Sequence, residues 1–431
     1  MKLRNLAHVS AIATCISYSA LAGELPRANQ PEDVGLSSER LQRVTAVFQA
    51  EVDNSKIPGT VVLILRKGKV AYLQAIGFQD REKKLPMKAD TIFRIASMTK
   101  PVVSVAIMLL VEEGKIQLST PASAYLPEFK NLMVGVEKIN AGTGKPELVL
   151  EPARRQMTIQ DLLRHTSGLT YPFFGDSLVK QAYRNAGVMA PNLTLAEVVT
   201  KLSQLPLAFQ PGTTFEYSIS TDVLGRIVEV VSGKGLDEFI AERITKPLGM
   251  PDTAFYATGA QVARVAQPQI DPAIGRRTPM RDVSIRPTWM SGGGGMISTA
   301  ADYARFSQML LNKGELDGVR LLSPRTVKYM TSDHLPPGTA MSPAVLGFGS
   351  LMPSPSQGQG FGLGFAVRVD AGRNSLPGSP GEFYWVGASG TTFWVDPKQE
   401  LVAIMMVQLP LLSTAHYRSL IRNMVYQAVV N

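Results

Sequence analysis

The apolar positions divide the chain into two β-rich ends and a helical middle. Thr60 to Gln74 (TVVLILRKGKVAYLQ) holds two β-rich runs joined at Lys67-Gly68, the pattern of a hairpin. Val102 to Val111 is apolar on nearly every face, which predicts a buried helix; Glu112, Glu113 and Gly114 give it a polar exit and a C-terminal cap. From Ile116 to Pro287 the strand signal weakens, and helical patterns such as LAEVVTKLSQL and VLGRIVEVVSG alternate with Pro/Gly loops. SGGGGMISTAADYARFSQML then predicts a flexible glycine run leading into a helix capped near Ser298 or Thr299. Strand patterns return in GFGLGFAVRV, EFYWVGAS, TTFWVD and LVAIMMVQ, with a turn at Asp396-Pro397. SPSQGQGFG, at the entry to the first of them, predicts a mobile loop near an opening. A closing helix from about Thr414 to Val430 places Leu420, Ile421, Met424, Val425 and Ala428 on one face.

Strands at both ends around a helical middle predict an α+β fold. A mostly antiparallel sheet is built from both chain ends and flanked by helices. The expected division is a sheet domain from residues 23–115 and 288–431, with a mainly helical domain, 116–287, inserted. At 431 residues, 45% hydrophobic and 18% charged, the chain has the composition of an ordinary globular protein and ample length for a core.

The first residues change that picture locally. Lys2 and Arg4, an apolar stretch and Ala20-Leu21-Ala22 form the layout of a secretory signal peptide cut after Ala22, so an exported protein, periplasmic or secreted, is expected. Ile12-Ala13-Thr14-Cys15 fits a lipid-attachment site poorly, and no other segment is apolar for long enough to span a membrane. Losing Lys2 and Arg4 takes the formal charge from +9 to +7, spread without a Lys/Arg run, which argues against a nucleic-acid partner. Cys15 is the only cysteine, so the processed chain would have no disulfide, no thiolate nucleophile and no cysteine metal ligand.

Two Ser-x-x-Lys strings are candidate nucleophile–base pairs, Ser97/Lys100 and Ser177/Lys180. The chemistry needs a hydroxyl, a nearby base and donors for an oxyanion. Residues three apart share one helix face, and a helix start adds free N–H groups beside the nucleophile. Ser97 precedes the buried helix, with Pro101 placing Ser97–Lys100 in its first turn. Ser177 sits in GDSLVKQAYRNAG, a polar setting in which Lys180 would stay solvated and charged. Ser97 is therefore the better candidate. Gly142-Thr143-Gly144-Lys145-Pro146 lacks both the first glycine and the hydroxyl residue of a phosphate loop. No G-x-S-x-G elbow occurs, since Gly387-Ala388-Ser389-Gly390-Thr391 ends in the wrong residue. His165, His334 and His416 show no metal-ligand spacing, and a Ser-His-Asp triad using one of them is the weaker competitor.

SMTK at 97–100, HTSGL at 165–169, PGTTFEYS at 211–218, KPLGM at 246–250, the SGGGGMISTAADYARF run and WVGASGTTFWVDP at 385–397 occur in that order. Together they resemble the serine β-lactamase-like hydrolases: class C β-lactamases, D-Ala-D-Ala carboxypeptidases and, most closely, the family VIII carboxylesterases. The resemblance covers about residues 30 to 430 and implies a β-lactamase/transpeptidase-like fold. It implies that Ser97 is acylated, that Lys100 is its base or proton-relay partner, and that Tyr217 shuttles the proton to the leaving group. The backbone N–H groups of Ser97 and Ala388 would form the oxyanion hole, with Trp385-Val386-Gly387 on the third-motif strand. Tyr171, Phe173 and Phe174 are candidates for an acyl or alcohol pocket, with core packing the equal alternative. No metal or organic cofactor is implied.

The departures from the family pattern concern the substrate. Trp385 and Val386 stand where β-lactamases and peptidases carry a Lys or His and then a hydroxyl residue, and Ile219 stands where they carry Asn. Each change removes a polar contact, so the expected substrates are neutral esters of short- to medium-chain acids, hydrolysed through an acyl-enzyme. A β-lactamase or D-Ala-D-Ala carboxypeptidase of the same fold is the first alternative. A non-catalytic binder of cell-wall peptides or acyl groups is the second.

Overall fold

The structure is a computed structural model describing residues 23–271, 275–347, 352–409 and 414–431. The expected signal segment, residues 1–22 with Cys15, lies outside them. An eight-stranded sheet is formed by β1 (Gly59–Arg66), β2 (Lys69–Asp80), β3 (Leu85–Pro86), β4 (Gln359–Phe361), β5 (Ala366–Arg368), β6 (Phe383–Val386), β7 (Thr392–Asp396) and β8 (Leu401–Val407). Their order is β4-β5-β6-β7-β8-β1-β2-β3, so the two chain ends meet where β8 pairs antiparallel with β1, Thr60 opposite Val407 and Arg66 opposite Leu401. Lys67 and Gly68 both have positive φ, 51° and 74°, the geometry of a type I′ hairpin turn between β1 and β2.

Five helices position the rest: α1 (Ser38–Asp53), α2 (Thr99–Glu112), α3 (Ser220–Ser232), α4 (Ala300–Leu311) and α5 (Thr414–Tyr426). Val62, Ile64, Ala403 and Met405 pack with α1 and α5, while Val61, Leu63, Ile404 and Met406 share a core with α2 and α4. Because both faces are covered, β1 and β8 read as unbroken apolar runs instead of alternating ones. Buried Val, Leu, Ile and Met side chains of this kind each contribute about 1.5–3 kcal/mol. α2 is buried from Thr99 through Leu110, which fixes the position of the residues just before it. The N-cap of α4 is Thr299, whose hydroxyl accepts the Asp302 N–H; its neighbour Ser298 instead pairs with Phe93.

Three local features differ from the sequence expectation. Residues 116–287 contain a hairpin of Met133–Ile139 and Pro146–Pro152, with the phosphate-loop-like Gly142–Lys145 segment at its turn. The ribbon is largely exposed, so it carries few of the apolar positions by which strands are recognised. GFGLGFAVRV is two strands, because Gly364 at φ 96° turns the chain between β4 and β5. Within SPSQGQGFG, Pro355–Gln357 forms one 3-10 turn and the following residues form the edge strand β4.

Candidate active site

Ser97 lies in a 3-10 turn, Ala96–Met98, that runs directly into α2. Ala96 precedes it at φ 44°, a left-handed conformation that a non-glycine residue adopts only when its surroundings impose it. One such constraint is visible. A Cβ on Gly387 would stand 2.3 Å from the Ile95 carbonyl oxygen, so the end of β6 comes to rest against the backbone beside Ala96. Only glycine permits that approach, and it brings Val386 and Ala388 onto the same cavity wall as Ser97.

Lys100 is 1% exposed, and its ammonium donates to Ser97 Oγ at 3.4 Å, Tyr171 Oη at 3.1 Å and Gly293 O at 2.6 Å. Its Nζ also stands 4.5 Å from the ring centroid of Tyr217, whose hydroxyl accepts Trp385 Nε1–H at 3.3 Å. Three separate segments thus converge: the start of α2, the residues before α3, and the end of β6. Burial, together with Asp222 and Tyr217 nearby, pushes the Tyr171 hydroxyl well above the ordinary tyrosine range, so it faces Lys100 as a neutral group.

The residues before α3 are held from behind by a buried hydroxyl chain. Ser167 Oγ and Ser220 Oγ lie 2.7 Å apart, Ser218 Oγ and Ser220 Oγ 2.7 Å, and His165 Nδ1 and Ser218 Oγ 3.2 Å. The His165 carbonyl also accepts the Glu216 N–H at 2.9 Å. Burial, reinforced by the positive charge of Lys100, holds His165 well below the usual histidine range, so it is neutral here. His334 bonds to Gln160 and the Tyr329 carbonyl, and His416 is exposed. No His–Ser97 hydrogen bond occurs among the described residues, which removes the Ser-His-Asp arrangement.

The second Ser-x-x-Lys has a different setting from the one expected. Lys180 is buried, 6% exposed, and its ammonium pairs with Glu216 at 2.9 Å and with the Phe174 carbonyl. Ser177 is a helix N-cap whose hydroxyl accepts the Lys180 backbone N–H. The expectation of a solvated Lys180 fails because Glu216, 36 positions along the chain, folds back against it.

Ser97 opens into a cavity of about 480 Å³, within the usual range for a small-molecule site. Tyr171, Phe173, Phe174, Met352 and Trp385 make its wall largely carbon and aromatic. Phe173 stacks on Tyr171 with centroids 4.9 Å apart and is itself half in solvent. Gly387 and Ile219 are not on this wall: Gly387 packs against Ile95, and Ile219 is fully buried at the N-cap of α3. Asp222, in the first turn of α3, was not singled out from the sequence. It is buried and accepts Ser291 Oγ–H at 2.7 Å; burial raises it, while Ser291 and the charge of Lys100 pull it back. A Cβ on Gly293 would lie 2.3 Å from Asp222 Oδ2 and 2.7 Å from Tyr171 Oη, so the glycine run packs into the site. Arg281, Trp289 and Arg418 also reach the wall, and no motif announces them. Among the described residues no cluster of His, Cys, Asp or Glu could hold a metal, and no helix is long and apolar enough to cross a membrane.

The family model described as Beta-lactamase matches residues 44–419. The chain belongs to the β-lactamase family. Protein Rv1367c of Mycobacterium tuberculosis (strain ATCC 25618 / H37Rv) is 36% identical over 364 residues, covering 83% of this chain and 87% of that protein. Esterase EstB of Burkholderia gladioli is 31% identical over 388 residues, covering 84% and 89%. Among solved structures, EstCE1, a hydrolase with promiscuous acyltransferase activity, superposes with a TM-score of 0.72 at 29% identity, covering 90% of this chain and 98% of that one. The protein is a serine hydrolase with the β-lactamase/transpeptidase-like fold.

Proposed function

We propose that this member of the β-lactamase family is a carboxylesterase acting on short- to medium-chain acyl esters. The observation that carries the proposal is the pairing of Ser97 and Lys100 at the mouth of a carbon-lined cavity. Trp385 and Val386 give that strand neither a charge nor a hydroxyl toward the substrate. In the proposed reaction Ser97 Oγ attacks the ester carbonyl while its proton passes to Lys100. The N–H groups of Ser97 and Ala388 hold the developing oxyanion, each donor worth roughly 10²–10³ in rate. Tyr217, beside Lys100, returns the proton to the departing alcohol, and water then releases the acid from Ser97. The similarity to EstB and EstCE1 supports ester chemistry.

Turnover of p-nitrophenyl butyrate and of nitrocefin, with intact mass after brief exposure to each, tests the reading. The butyrate ester should be hydrolysed and leave a transient butyryl adduct that Ser97→Ala lacks. Far better turnover of nitrocefin would make the protein a β-lactamase. Failure of a fluorophosphonate probe to label it would make it a binder.

A further inference from the structure

The carbon on the cavity wall is of a particular kind. Neither Leu nor Ile lines it among the described residues, although both fill the core elsewhere. Six aromatic side chains line it instead, with the thioethers of Met189 and Met352 beside them. Four of the rings form a continuous series. Trp385 and Tyr217 have centroids 5.3 Å apart, Tyr217 and Tyr171 5.6 Å, and Tyr171 and Phe173 4.9 Å. In the proposed reaction Tyr217 serves the departing alcohol, so this path of rings leads away from the leaving-group side of the ester.

Phe173 is the member of the series that packing does not explain. At 54% exposed, it is the one phenylalanine or tryptophan among the described residues left mainly in solvent. Burial of an aromatic ring is a large hydrophobic gain, and here half of it is forgone. The ring is nevertheless held in place. It stacks on Tyr171 at an interplanar angle of 25°, and Phe174 meets it edge-on with centroids 4.4 Å apart. The backbone is tied on both sides of it: Arg184 donates to the Pro172 carbonyl at 2.6 Å, and the Lys180 ammonium donates to the Phe174 carbonyl. A fixed ring with its free surface on the cavity is a stacking platform. A planar aromatic guest gains ring–ring and sulfur–ring contacts there that a saturated group of equal size does not.

Resting on the esterase reading, we infer that the preferred substrate is a short- to medium-chain ester of an alcohol bearing an aromatic ring, with Phe173 as the residue that selects it. The acyl half stays at Ser97, and the aryl ring of the alcohol lies along the ring series and stacks on Phe173.

The deciding pair is 3-phenylpropyl butyrate against 3-cyclohexylpropyl butyrate, followed by acid release in a pH-stat. The two share acyl group and carbon count, and the saturated ring is the more hydrophobic, so a wall that reads only apolar area would favour the cyclohexyl ester. Here kcat/KM should favour the phenyl ester by roughly threefold or more. Phe173→Leu should bring that ratio to one or below, and Phe173→Tyr should keep most of it. Ethyl 3-phenylpropanoate against ethyl 3-cyclohexylpropanoate places the same rings on the acyl side. A wild-type ratio at or below one in the butyrate pair overturns the inference while leaving the esterase standing. So does a preference that Phe173→Leu does not reduce, or one confined to the acyl-side pair. If no ester is turned over, the esterase reading falls and calorimetry decides the platform: saturable binding of 3-phenylpropan-1-ol over 3-cyclohexylpropan-1-ol, lost in Phe173→Leu, sustains it, and its absence refutes it.

Discussion

Replacing Tyr171 by Phe tests whether this residue is part of the proton network or only of the pocket wall. Its hydroxyl occupies one of the three hydrogen-bonding directions of Lys100, at 3.1 Å, alongside Gly293 O and Ser97 Oγ. The phenylalanine ring would keep the stack on Phe173 and the edge contact with Tyr217, whose centroid is 5.6 Å away. What disappears is one hydrogen bond to a 1% exposed ammonium. Such a bond to a charged group is worth about 1.5–3 kcal/mol. Through the rate equation that is roughly a ten- to hundredfold fall. The loss should appear in kcat, because in the proposed reaction the bond fixes the group that moves the proton and touches nothing in the ester ground state. The assay is steady-state hydrolysis of p-nitrophenyl butyrate, with Tyr171→Ala as a comparison that also opens the wall and should raise KM. Wild-type kcat in Tyr171→Phe, or a change confined to KM, would show that the hydroxyl is idle and that Tyr171 only shapes the cavity.

Lys100→Arg should nearly abolish p-nitrophenyl butyrate turnover, because a guanidinium does not give up its proton; near-normal kcat would remove Lys100 from the role of base. Tyr217→Phe should lower kcat by orders of magnitude, and a loss below about threefold would leave Tyr217 as packing. Lys180→Met strands the buried Glu216 carboxylate and should cost about 3–5 kcal/mol in urea unfolding, partly recovered in Lys180→Met/Glu216→Gln. Equal stabilities of Lys180→Met and wild type would mean the pair is not a structural tie. His165 is held below its unfolded value of about 6.5, so the unfolded chain binds a proton that the native site refuses. Its stabilisation is complete above that pH and is lost as the pH falls, by up to about 1.4 kcal/mol per unit. His165→Gln should therefore flatten unfolding free energy between pH 7 and 5 relative to wild type, and parallel curves would refute the account.

What could be read from the sequence was what local pattern controls. The β1–β2 hairpin showed because Lys67-Gly68 supplies both positive-φ residues of its turn. The buried helix showed because α2 has no polar face to mask its apolar run. The hairpin at Met133–Pro152 was hidden for the opposite reason, since of its strand residues only Val134 and Gly135 are buried and the amphipathic signature is correspondingly weak. Ser97, Lys100 and Tyr217 were legible as motifs, and the fold brings them to one place. Asp222, Arg281 and Arg418 were not. Their meaning lies in what surrounds them at distances of tens to hundreds of residues along the chain, and a lone Asp or Arg in a helix or loop is ordinarily a solvated side chain.

The two Ser-x-x-Lys strings fold into different settings. Both serines begin helices, and both lysines are buried. At Lys180 the ammonium meets the Glu216 carboxylate, and Ser177 turns its hydroxyl back to the backbone as a cap. The two form a buried ion pair, so that lysine ties its helix to the residues before α3. At Lys100 the direct partners are two hydroxyls and a carbonyl, all neutral, with the nearby Asp222 carboxylate hydrogen-bonded to Ser291. These acceptors hold Nζ beside Ser97 Oγ with no carboxylate in direct contact. The strained backbone at Ala96 then leaves Ser97 Oγ facing both the lysine and the cavity. The motif supplies two residues on one helix face; the acceptors around the lysine decide whether they can do chemistry.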